Sequence, residues 1–139
     1  MSAHNVLSVG AGVELGPTTS GTTRLVNATI DGAVGSGVRV LTFSPAELTN
    51  VIVTSSGVGI ENFGNAVLDY CVLADNIAMD YVGGDPGSTT TIGVSPGYVG
   101  GGDYHLAPTS GFIDLGSPAL QDPDGTRSDP AYYGGPYAQ

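Results

Sequence analysis

The chain has no lysine, no tryptophan and a single cysteine, and only three arginines stand against 13 acids in 139 residues. Each scarcity excludes something. With Arg24, Arg39 and Arg127 as the only strong bases and a formal charge of −10, the surface repels phosphate backbones and anionic lipid heads, which clustered Lys and Arg normally hold. No nucleic acid partner is expected. No stretch approaches the roughly 20 apolar residues that span a bilayer, so no membrane insertion is expected either. The start, Met1-Ser-Ala-His-Asn5, lacks the basic residues and apolar run of a secretory signal. Cys71, being alone, forms no intrachain disulfide and reads as a small buried hydrophobe rather than a reactive thiol. His4 and His105 have no Ser or Cys partner in a recognisable motif, which leaves nucleophilic catalysis without support.

Glycine is abundant. With 23 Gly and nine Pro, few windows favour helix, and the apolar residues come in short runs between glycines. The class is all-β. Three near-repeats stand out, beginning at Leu25, Leu48 and Leu68, and their leucines lie 23 and then 20 residues apart. Such periods mark solenoids whose units bury a core only by stacking. A leucine-rich repeat would need several leucines per unit and usually a helical return; here one leucine opens each unit and the returns are Gly-rich. A parallel β-helix of about six coils fits instead, with Ala28, Ile30, Val38, Val40 and Phe43 inward and Thr29 and Arg39 outward.

Continuing the register puts Val38, Val58 and Ile77 in one column, Val40, Ile60 and Met79 in the next, and Phe43, Phe63 and Val82 in a third. That alignment makes the corner after Ile30 the variable one, so residues 31–37 are expected to project as a binding loop. The domain is single, 1–139. Residues 1–23 read as N-terminal strands and a connector, 24–102 as coils, and 103–139 as a non-repeating C-terminal cap.

The run Gly57-Val-Gly-Ile-Glu-Asn-Phe-Gly64, followed by Leu68-Asp-Tyr-Cys-Val-Leu-Ala-Asp-Asn76, resembles coils of the pectate-lyase-like superfamily. Asp103-Tyr-His-Leu-Ala-Pro108, Ser110-Gly-Phe-Ile-Asp-Leu-Gly116 and Asp122-Pro-Asp-Gly-Thr-Arg-Ser-Asp129 through Gly135 resemble the closing segment of choice-of-anchor Q type surface proteins. The chain departs from that pattern at Gly111-Phe112 and Pro130-Ala131. The resemblance implies a right-handed, single-stranded parallel β-helix and an extracellular or cell-surface setting. It leaves function open, because the superfamily hosts lyases, hydrolases, adhesins and other proteins.

Four groups of residues carry the functional expectations. Asn27 and Asn50 fall at a bend, where stacked amides can bond coil to coil as a structural ladder. Asp122, Asp124 and Asp129 sit on a Gly-containing turn and could hold calcium; the alternative is a turn whose acids cap backbone amides or pair with Arg127. Glu61 and Asp80 are placed in one outward column, with Arg39 one column away on the next coil. Their repulsion would raise one pKa and offer an acid/base pair for a carbohydrate-active enzyme, of polysaccharide lyase or glycoside hydrolase type. A solvated face with an Arg39–Glu61 pair is the competing reading. Ile52 and Val72 face outward on adjacent coils and need a cover, from the N-terminal segment, the tail or a second subunit, so they form a candidate self-association patch. The function expected from these features is a non-enzymatic structural or binding module, with a glycan or a second copy as partner. The three tyrosines Tyr132, Tyr133 and Tyr137 are expected to pack over an exposed end of the core.

Overall fold

The computed structural model describes residues 1–138 and contains no helix among them; 46% of it is strand, in parallel sheets stacked as a β-solenoid of about four turns. About six coils were expected, and the chain spends the difference on a long closing segment. The longest strands are β1 (Ser2–Val9), β3 (Thr23–Asp31) and β5 (Pro45–Thr54). In coil four the same path is split into β7 (Asn65–Asp69) and β8 (Val72–Ala74), and β10 (Thr91–Ile92) continues beneath β8. The return side of each coil is a second sheet of β2 (Val13–Leu15), β4 (Ser36–Val40), β6 (Val58–Asn62) and β9 (Met79–Val82).

Each long strand is bent once. Asn5, Asn27, Asn50 and Tyr70 share one column and all have φ near +50° to +57°, a left-handed conformation that Asn tolerates better than most residues. The bend turns one strand into two faces, so each coil is a triangle whose third face is the return strand. Leu25, Leu48 and Leu68 stand in register on the first face, and Ala28, Val51 and Cys71 with Ile30, Val53 and Leu73 fill the second. Residues 1–15 make a complete first coil with Ala3 beside Leu25, where only strands and a connector were expected.

The third face differs from expectation in register. Val13, Val38, Ile60 and Tyr81 share one column, and Ser36, Val58 and Met79 share another. The expected pairings of Val38 with Val58 and Ile60 with Met79 are each slipped by two residues. Because side chains alternate with a period of two, such a slip keeps every residue on its own side and alternation does not expose it. Phe43 and Phe63, expected inward, are exposed, and so are Ile77 and Met79.

The correct register also moves the variable corner. From Ile30 to Val38, Val53 to Ile60 and Leu73 to Tyr81 the spacing is eight, seven and eight residues, so residues 31–37 exceed their counterparts below by one residue at most. The corner that varies leads back to the first face, at ten residues from Leu15 to Leu25, eight from Val40 to Leu48 and six from Asn62 to Leu68. Glycine is obligatory at the entry to the third face. A Cβ on Gly37 would lie 2.2 Å from Val53 Cγ1, and one on Gly59 would lie 2.2 Å from the Asp80 carbonyl.

After β10 the chain leaves the solenoid. An antiparallel hairpin of β11 (Tyr98–Gly100) and β12 (Asp103–Leu106) follows, then turns to residue 138; of the expected cap 103–139, only residue 139 lies outside the described residues. This segment does not close an end. It runs back along the bend, touching Tyr70, Asn50, Asn27 and finally Asn5, one per coil.

Candidate functional site

The outward column of the third face places Glu14, Arg39, Glu61 and Val82 one above another. Arg39 therefore lies directly between two carboxylates, an arrangement hidden by the slipped register. Its Nε donates to Glu61 Oε2 at 2.8 Å, and Ser36 Oγ donates to the same oxygen at 2.5 Å. The Ser36 hydrogen bond first, and Arg39 second, hold the Glu61 carboxyl below its ordinary pKa. These groups line a groove of about 610 Å³ along β2, β4 and β6, flanked by Val58 and Ile77 and rimmed by Val34, which is 94% exposed.

Asp80 does not join Glu61. Register sets Val82 beside Glu61, while Asp80 takes the place below Gly59 and accepts from Asn76 Nδ2 at 2.8 Å and Asn76 N at 3.3 Å. The expected carboxylate pair with one raised pKa is corrected to an ion pair with a lowered one. Glu61 and Asp80 are therefore not brought together, and Arg39 pairs with Glu61 alone.

The other expected residues fall as follows. Asn50 Nδ2 donates to Asn27 Oδ1 at 2.9 Å and to Ser128 Oγ at 2.8 Å, and Ser117 N donates to Asn50 Oδ1 at 2.6 Å. The amide column thus binds the closing segment as well as itself. Asn5, absent from the expected ladder, donates through Nδ2 to the carbonyls of Tyr132 and Gly134. Its signal was its position two residues after Ala3, as Asn27 stands two after Leu25; without a leucine the repeat was hard to see there. Gly116 and Gly135 lie so close to Asn50 and Asn27 that a Cβ on Gly135 would be 1.8 Å from Asn27 Nδ2.

Ile52 and Val72 face outward as expected but are 0% and 2% exposed, packed under Phe112, Ala131, Tyr98 and Leu106. The cover is the chain's own tail, so this pair is not a free self-association patch. The tyrosines likewise pack along the side of the coils, not over an end. Tyr133 stacks on His105 at 3.5 Å and meets Tyr132 edge-on at 4.7 Å, and Tyr137 meets His4 edge-on at 5.7 Å.

The three acids of the Asp122 turn serve three separate backbone contacts. Asp122 Oδ1 accepts from Gly135 N, Asp124 Oδ1 from Thr126 N and Oγ1, and Asp129 Oδ1 from Asp114 N. Burial raises the pKa of Asp122 and Asp129, whereas the Thr126 bonds lower that of Asp124. Among the described residues no group of three or more His, Cys, Asp or Glu side chains converges as a metal site. Arg127 turns away from these acids, donating to the Gly116 carbonyl at 2.6 Å with its guanidinium 4.9 Å from the Tyr70 ring centroid. Cys71 is fully enclosed, and burial pushes its thiol pKa up to about 12, which removes thiolate chemistry at neutral pH.

Compared with protein-family models, curated proteins and solved structures, the chain matches none. The solenoid is established by its own strand register, and the likeness to pectate-lyase-like and choice-of-anchor Q proteins rests on the quoted motifs alone.

Proposed function

We propose that this chain is a non-enzymatic structural and binding module of a surface or secreted β-helix protein, and that the third-face groove receives a neutral glycan. The observation that carries this reading is the Glu14–Arg39–Glu61 column, with Ser36 fixing Glu61. It forms a rigid row of donors and acceptors beside the apolar Val58 and Ile77, the mixture that hydroxyl groups and sugar C–H faces require. The two carboxylates and the net charge of −10 disfavour uronates and other polyanions. A Glu61 paired with Arg39 and bonded by Ser36 favours holding a ligand over cleaving it.

Isotope-resolved NMR titration with a panel of neutral and acidic oligosaccharides tests the reading. Neutral chains should shift resonances of Ser36, Arg39 and Glu61, Arg39→Ala should weaken binding about tenfold, in line with loss of a charge-assisted hydrogen bond, and no new reducing ends should appear. Release of reducing ends, or a panel that leaves those resonances unmoved, would refute it.

A further inference from the structure

Where the closing segment crosses the fourth coil, a cleft of about 200 Å³ remains between them. Val72 from the coil and Phe112, Leu115 and Pro130 from the closing segment make it apolar, and Tyr70, Thr91 and Arg127 supply its polar groups. Arg127 stands apart from the other two arginines. Arg24 and Arg39 pair with Glu47 and Glu61 at 2.6 and 2.8 Å, whereas Arg127 forms no ion pair among the described residues of a chain that holds 13 acids. The acids nearest it in sequence, Asp122, Asp124 and Asp129, are turned to backbone amides. Its Nε donates to the Gly116 carbonyl at 2.6 Å, and the Tyr70 ring centroid lies 4.9 Å from the guanidinium carbon. The group is thus held in place while its two Nη atoms have no partner among the described residues. Tyr70 is itself out of pattern. It occupies the place of the bend asparagines with φ at 51°, a left-handed conformation that is costly for a bulky aromatic residue. Asparagine would serve the bend better; the ring serves the arginine.

We propose that this cleft binds a small organic monocarboxylate with an apolar body, the carboxylate on Arg127 and the body among Val72, Phe112 and Leu115. The two Nη atoms at the end of a guanidinium present parallel N–H groups, the fork that a carboxylate accepts in pairs. The Thr91 hydroxyl adds a further donor. Size limits the body. A dry cavity of about 150 Å³ holds one benzene ring, so this cleft takes a single ring or a short alkyl chain and leaves no room for an oligosaccharide. Charge limits the head. The net charge of −10 repels anions, but that field is screened beyond about 8 Å at physiological ionic strength, and a single fixed arginine compensates one negative charge, not two. Dicarboxylates and phosphomonoesters are accordingly disfavoured. The cleft is separate from the third-face groove, and the proposal does not depend on glycan binding there.

NMR titration of the whole chain with hydrocinnamate, a phenyl ring on a short carboxylate, tests this. The acid should move the resonances of Tyr70, Thr91, Leu115 and the Arg127 Nε–H and should saturate. Acetate, which lacks the body, and hydrocinnamamide, which lacks the charge, should each bind at least about tenfold more weakly. Arg127→Gln should weaken hydrocinnamate at least about tenfold. Because that change also removes the contact with Gly116, Leu115→Glu serves as a second variant. Leu115 is an exposed part of the wall, and a like charge there should weaken binding about tenfold while leaving the melting temperature unchanged. A tripeptide ending in Phe distinguishes two sources of the carboxylate. Binding tighter than that of hydrocinnamate, abolished by amidation of the peptide, assigns the site to the end of another chain, and weaker binding assigns it to a free small acid. No saturation by hydrocinnamate up to about 10 mM, equal binding of the acid and its amide, or an affinity that neither variant changes would overturn the proposal.

Discussion

Asn50 concentrates more of the architecture than any other side chain. It holds a left-handed backbone, bonds the coil above through Asn27, and fixes the closing segment through Ser117 and Ser128, all while fully buried. Removing the amide would leave buried polar partners unmet and strain a backbone that alanine adopts poorly. Asn50→Ala should cost about 3 kcal/mol or more in denaturant unfolding. Asn50→Asp should also destabilise, because an acid cannot donate to both Asn27 and Ser128. Asn27 and Asn50 could be picked out from the spacing alone, since both follow a leucine by two residues. Asn5, Gly116 and Gly135 escaped, because their role depends on a segment distant in sequence meeting the bend.

At the scale of elements, the closing segment behaves as a strap along one corner. Its inner surface buries Ile52 and Val72 under Phe112 and Ala131, and its polar groups bond the bend residues coil by coil. Asp122 and Asp129 are strained electrically in this position: burial raises both pKa values above the unfolded 3.8. A carboxyl with a raised folded pKa binds protons more readily folded than unfolded, so its penalty is absent below the unfolded pKa and grows as pH rises through the folded one. Asp122→Asn, which keeps an oxygen for Gly135 N, should therefore raise the melting temperature relative to wild type at pH 7. The gain should vanish as pH falls toward 4, and thermal melts of both proteins across that range check it. Glu61 has the opposite sign. Its lowered pKa contributes stability above the unfolded value that is lost as acid protonates it.

For the whole molecule, stacking governs both strength and exposure. Middle coils are dry because they have neighbours on both sides, and the first coil is not. The acidic surface should bind divalent cations loosely and without selection, because the Asp122 turn spends its three carboxylates on separate backbone contacts. Calcium and magnesium in excess should then shift the melting temperature equally. A rise specific to calcium, scaling as RT ln(1 + [L]/Kd), would instead reveal a tight site.

Composition, glycine content and the leucine period were enough to determine an all-β solenoid, and alternation placed Ala28, Ile30, Val38 and Val40 inward but failed at the corners, where Phe43, Phe63, Ile77 and Met79 are exposed. Both are local properties of a strand, repeated at every coil. Register on the third face was not local: a slip of two preserves alternation, and only the packing of Gly37 and Gly59 against the neighbouring coil selects one alignment. That choice separated Glu61 from Asp80 and set Arg39 between Glu14 and Glu61. The tertiary structure likewise decided what covers Ile52 and Val72. Three covers were compatible with the sequence, and the returning tail reached the patch because its glycines allow it to lie directly on the asparagine bend.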